Sequence, residues 1–167
     1  FAAQFERNLP YRRFSLKRAQ TPATVRTWAE IPTVPISAFK AETLCCYSPQ
    51  EAGTCFMTSG TTGGADQRGK HYHPNLHIYD ASLVPNFRAH LLPEISRIRM
   101  LVLNPDESVL PDSSLAHYLT LAVREFGTAD SAFYVDQVGL RLNDLAKALG
   151  EAAATGEPVL LLGTPFA

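Results

Sequence analysis

The sequence predicts an α/β fold: a three-layer sandwich with a mainly parallel sheet flanked by helices. Two observations carry that prediction. After residue 74, segments with a helical apolar stripe alternate with short apolar runs, the pattern of parallel strands joined by crossover helices. Two of those runs, Ile98-Arg99-Met100-Leu101-Val102-Leu103 and Val159-Leu160-Leu161-Leu162, read as buried strands. Hydrophobic residues make up 46% of the 167 residues, enough to build a core under such a sheet.

Each element follows from local chemistry. Phe1, Phe5, Leu9, Phe14 and Leu16 recur among charges, which predicts helix over 1–19 with an interruption near Pro10. Residues 28–35 form an extended connector, because the residue before each proline is driven toward β or polyproline geometry. Ser37 caps one helical turn at 38–40. Residues 43–47 and 53–57 read as strands, and 69–73 as extended. Pro74 opens a helix carrying the stripe Tyr79, Leu83 and Phe87, with Pro85 as its kink or end. A helix starts at Ser114, capped by Asp112 or Ser113, with Leu115, Tyr118, Leu119, Ala122 and Val123 as its apolar face. Residues 131–135 form a short strand. Leu140, Leu142, Leu145 and Leu149 lie on a further helix that ends near Gly150.

The organisation is then a helical and extended lead-in over 1–50 and an α/β core over 51–167. The final strand and its Gly163 turn are followed by only four residues, and such a strand ordinarily leads into a ligand-facing loop. The expectation is that a C-terminal part of the domain lies beyond Ala167.

Composition excludes some classes of function. Lys plus Arg is 15 and Asp plus Glu is 16, so the net charge of -1 gives no electrostatic case for nucleic acid or an anionic membrane. No apolar run approaches the roughly 20 residues of a membrane span. Cys45, Cys46 and Cys55 are odd in number, which argues against a disulfide framework and for a reducing, cytoplasmic setting. They read as packed strand cysteines rather than catalytic thiols.

The segment Thr58-Ser59-Gly60-Thr61-Thr62-Gly63-Gly64 follows the apolar Cys55-Phe56-Met57. Glycines let main-chain amides approach a ligand closely, and hydroxyls add donors for anionic oxygens. A loop of this composition after a strand is a phosphate cradle in chemical terms.

Met57 to Gly64 resembles the phosphate loop of the AMP-forming acyl-CoA synthetase superfamily, although the Pro-Lys-Gly that commonly follows is absent. Further segments resemble LuxE-type acyl-protein synthetases: residues 31–36 with Phe39-Lys40, His71-Tyr72-His73 with Tyr79-Asp80-Ala81-Ser82, Asp112-Ser113-Ser114-Leu115, and 159–166. The resemblance implies the N-terminal portion of an adenylate-forming ligase. Such an enzyme uses ATP and Mg²⁺ to activate a carboxylic acid, in that family a fatty acid, and then transfers the acyl group to a thiol. It also implies a reductase or carrier protein as partner. Thr58, Ser59, Gly60, Thr61, Thr62 and Gly63 would hold the β and γ phosphates. Mg²⁺ would share the phosphate charge rather than occupy a protein cage. Lys70 or Arg68 would supply a cationic contact, a solvated lysine being the ordinary alternative. The family's acceptor cysteine has no counterpart among Cys45, Cys46 and Cys55.

Other readings compete. Gly64-Ala65-Asp66-Gln67-Arg68-Gly69-Lys70 fits a P-loop of an NTPase or kinase, but His71 stands where that motif places Ser or Thr. His71, His73 and His77 could converge on a metal. Ser113, Ser114 and His117 invite a hydrolase reading, without a G-x-S-x-G elbow. His117 lies one turn along its helix, where it could face an acyl or nucleotide pocket. A fragment that binds a nucleotide or a partner without turnover is the non-enzymatic alternative.

Overall fold

The structure, a computed structural model, describes residues 1–58 and 68–164. The chain forms two compact units, Phe1–Asn75 and Leu76–Ala167. Residues 53–57 and 69–73 fall in the first of these units.

In the first unit, α1 (Ala2–Arg7) and α2 (Leu9–Leu16) are separated at Asn8 rather than at Pro10. Asn8 is extended, and its side chain accepts from Tyr11 N at 3.2 Å, capping α2. Pro10 sits in the first turn of α2, where no intrahelical amide is needed. The connector is interrupted by a 3-10 turn at Trp28–Glu30, whose Glu30 carboxylate accepts from the Arg26 and Thr27 amides at 2.6 and 3.2 Å. A single helical turn, α3 (Ala38–Ala41), follows Ser37, which makes no side-chain cap bond. The strand expected at 43–47 does not form. Tyr47 instead donates its hydroxyl to the carbonyl of Tyr72, so this segment is held by a side chain and not by a ladder. β1 (Thr54–Met57) and β2 (Lys70–His73) pair antiparallel, with Phe56 opposite His71 and Met57 opposite Lys70.

The second unit carries the parallel sheet. Its elements run α4 (His77–Leu91), β3 (Arg99–Leu103), α5 (Ser114–Phe126), β4 (Ala132–Phe133), α6 (Leu142–Thr155) and β5 (Val159–Gly163). The three strands are parallel in the order β4-β3-β5, with Leu101 opposite both Ala132 and Leu161. Helices flank the sheet because alternate side chains of β3 face opposite ways. Met100 and Val102 pack with Leu83 and Phe87 of α4 and with Leu119, Ala122 and Phe126 of α5. Leu101 packs with Tyr134 and with Leu145 and Ala148 of α6.

Several boundaries differ from the expected ones. α4 begins at His77, not at Pro74, and continues through Pro85 to Leu91. Proline in a helix interior costs about 3 kcal/mol. Leu83 and Phe87, buried on either side of it, contribute about 1.5–3 kcal/mol each and hold the helix on the core. On α5 the buried face is Ala116, Leu119, Leu121, Ala122 and Phe126, while Leu115 is exposed. α6 contains Gly150 and ends instead at Gly156, which takes φ 70° as a left-handed cap. Its buried face is Leu145, Ala148 and Ala152, so Leu142 and Leu149 of the expected stripe face outward. Among the described residues no helix is long and apolar enough to cross a membrane.

Candidate functional site

Ser59, Gly60, Thr61, Thr62 and Gly63 lie outside the described residues. The structure does show how the segment they occupy is anchored. Thr58 N donates to Gly69 O at 2.9 Å, and Gly69 N returns a bond to the Thr58 hydroxyl oxygen at 2.9 Å. Arg68 Nε donates to Thr58 O at 2.6 Å. The two ends are thus cross-tied one residue beyond the last β1–β2 pair. Gly69 is there for space: a Cβ at this position would come within 3.2 Å of Thr58 Cγ2 and 3.4 Å of Phe39 Cβ. Gly69 itself is buried. The Thr58 hydroxyl accepts from Gly69, so its own proton remains available to a further acceptor. Lys70 is exposed and makes no ion pair among the described residues. The hairpin therefore presents one hydroxyl and one ammonium at the two ends of a segment rich in main-chain donors.

The histidines of β2 face aromatic rings. His71 stacks on Phe39 at 4.4 Å between centroids, and His73 lies 5.4 Å from the Phe56 ring. Burial, with His71 beside it, lowers the His73 pKa from its ordinary 6.5. Among the described residues no group of three His, Cys, Asp or Glu side chains is placed to hold a metal. Cys45, Cys46 and Cys55 are half-buried and unbridged. Burial, reinforced by Cys45, pushes the Tyr47 hydroxyl up to about 12, so it remains a donor to the Tyr72 carbonyl at neutral pH.

The second constellation belongs to the α/β unit. Ser113 caps α5 by accepting from Ala116 N at 3.2 Å, which settles the choice between Asp112 and Ser113. His117 follows in the first turns of α5. Its Nδ1 lies 2.7 Å from Glu107 Oε2 and its Nε2 lies 2.8 Å from Asp80 Oδ1. A ring with carboxylates on both nitrogens is best satisfied as imidazolium, which donates from each. Burial by itself pulls this imidazole down, but Asp80 and Glu107 outweigh it and raise it above the ordinary 6.5. The Tyr79 ring packs 5.7 Å from His117, and its hydroxyl donates to Ser114 O at 3.2 Å. The loop carrying Glu107 leaves the carboxyl end of β3, the edge at which parallel α/β sheets bind ligands. It is folded by Asp106, whose Oδ1 accepts from the Ser108 amide at 2.8 Å and the Ser108 hydroxyl at 2.6 Å. The Glu107 amide donates to the Thr120 hydroxyl at 3.1 Å.

Asp80 and Glu107 were not legible as partners of His117. They lie 37 and 10 positions from it on other chain segments, and neither spacing matches the helix period of the element that carries His117. Beside this cluster, Tyr79, Leu83, Phe87 and Tyr118 line a cleft of about 500 Å³ together with the polar Asn86 and His90. Aromatic walls with a few polar groups suit the apolar body of a small ligand.

No protein-family model matches the chain, and neither does any curated protein or solved structure.

Proposed function

We propose that this chain is the N-terminal part of an adenylate-forming ligase of the acyl-protein synthetase type, a three-layer α/β domain that activates a carboxylic acid with ATP. The observation that carries the reading is the cross-tied hairpin base at Thr58 and Gly69, which delivers both ends of a Gly/Ser/Thr segment to one place. The residues present fit a polyphosphate. The Thr58 hydroxyl keeps a proton to donate, Lys70 offers a cation, and the sequence between them supplies amides and hydroxyls.

In this reading a carboxylate oxygen attacks the α-phosphorus of ATP. The bond from that phosphorus to the bridging oxygen breaks, and pyrophosphate leaves with the electron pair. The chain's own contribution is positioning and charge stabilisation of the leaving group. Thr58, Ser59, Gly60, Thr61, Thr62 and Gly63 hold its phosphates. Lys70 neutralises part of its charge, and Mg²⁺, when bound, shares the remainder. A thiol on a partner or another part of the protein then attacks the acyl carbonyl, loses its proton, and AMP leaves with the electrons of the acyl–oxygen bond.

The hairpin argues against the P-loop alternative. Lys70 begins a strand, whereas the lysine of that motif opens a helix whose N-terminus faces the phosphates. Acid-dependent exchange of labelled pyrophosphate into ATP, with a long-chain fatty acid, tests the proposal. Exchange is expected, strongly reduced in Gly60→Ala and Thr61→Val, and AMP should appear once a thiol takes the acyl group. ADP as product, or exchange untouched by both substitutions, would refute it.

A further inference from the structure

The geometry points to His117 as a clasp: through both ring nitrogens it fastens the β3–α5 loop to α4, and the fastening opens when the ring loses one proton. This role does not rest on the nucleotide reading, and its test uses no nucleotide.

Three chain segments meet at the ring. Glu107 comes from the loop at the carboxyl edge of β3, Asp80 from α4, and His117 from α5. Asp80 and Tyr79 from α4 and Glu107 from the loop are charged or titratable groups that bear on the imidazole. An imidazolium donates to both carboxylates at once. A neutral ring has one N–H and one lone pair, so one carboxylate must then face a lone pair. At 2.7–2.8 Å that contact is repulsive, and one of the two partners has to leave.

Glu107 is the partner that leaves. Asp80 sits within a 15-residue helix, whose main-chain ladder fixes its position. Glu107 sits in a connection with no ladder, held by the Asp106 turn and by its amide bond to Thr120. Its side chain is also the more exposed of the two, 42% against 34%, so water replaces His117 there more readily.

The direction of the pH effect follows from the upward shift of His117. The folded state holds the second proton more tightly than the unfolded chain. The clasp is therefore fully formed below the ordinary 6.5 and is lost as pH rises through the higher folded value. His117 is thus a positioning residue for the ligand-facing edge of the sheet.

The test combines hydrogen exchange at the Glu107 amide with NMR titration of the His117 ring, on the whole chain across the pH range. After correction for intrinsic exchange, the Glu107 amide should exchange about tenfold faster above the ring's titration than below it, with a shared midpoint. Asp80→Asn removes one carboxylate and should move both midpoints together to lower pH, a displacement that a merely packed histidine would not produce. His117→Gln should leave the Glu107 amide fast at every pH. The clasp is refuted if Glu107 exchange shows no inflection in the native chain, if its midpoint departs from that of the ring, or if the inflection survives in His117→Gln. Should that variant fail to fold, the native and Asp80→Asn profiles decide the matter.

Discussion

Thr58→Val is the most direct perturbation of the hairpin base. Valine keeps the branched shape of threonine but has no oxygen to accept from Gly69 N, a bond of 2.9 Å. Gly69 is buried, so water does not readily replace the lost acceptor. Leaving a buried donor unsatisfied costs about 1–3 kcal/mol, and the Thr58 amide bond to Gly69 O remains, so about 2 kcal/mol is expected. If opening at the base limits exchange, that corresponds to roughly 30-fold faster exchange of the Gly69 amide. Thr58→Ser, which retains the hydroxyl, should stay within about 0.5 kcal/mol of the native chain. Site-resolved hydrogen exchange at Gly69, with denaturant unfolding beside it, measures both effects. Equal Gly69 protection in native and Thr58→Val chains, or equal loss in Thr58→Ser, would refute the reasoning. Either result would mean that the hydroxyl does not hold that amide.

Other substitutions test the fold. Phe87 is buried and stacks on Phe126 at 5.4 Å, so Phe87→Ala should destabilise the second unit by about 3–5 kcal/mol in denaturant unfolding. Gly150 and Gly156 both have open space where a Cβ would go, yet alanine should have opposite effects at them. Gly150→Ala, inside α6, should raise stability by about 0.5–1 kcal/mol. Gly156→Ala, at φ 70°, should lower it by about 1–2 kcal/mol, and paired thermal melts reveal the difference in sign.

The succession β3-α5-β4-α6-β5 was legible because each strand is a compact apolar run and each helix has a stripe of its own. The parallel sheet flanked by helices follows from that pattern. Errors arose where tertiary contacts override local preference. Residues 43–47 have the composition of a strand but join neither β1 nor β2, and Tyr47 is tied to the Tyr72 carbonyl by its side chain instead. Pro85 reads as a terminator, yet the packing of Leu83 and Phe87 carries the helix past it. On α6 the leucine stripe misplaced the buried face because Ala148, which packs beside Leu101 and Tyr134, and the buried Ala152 are weak signals in a sequence. The run at 58–64 reads as a motif in the sequence, but the cross-tie through Gly69 does not, since it depends on register. The carboxylates around His117 converge only once α4, α5 and the β3 loop are assembled, which no spacing rule encodes.

β3 has a consequence for how the second unit comes apart. Five residues supply a wall to both cores, with Met100 and Val102 on one side and Leu101 on the other. Loosening α6 uncovers Leu101 and frees the strand that α4 and α5 rest on, so the two helical layers should melt as one cooperative unit rather than in sequence. Damage to either layer should then register in both, and core substitutions on opposite faces of β3 should show coupled rather than independent losses.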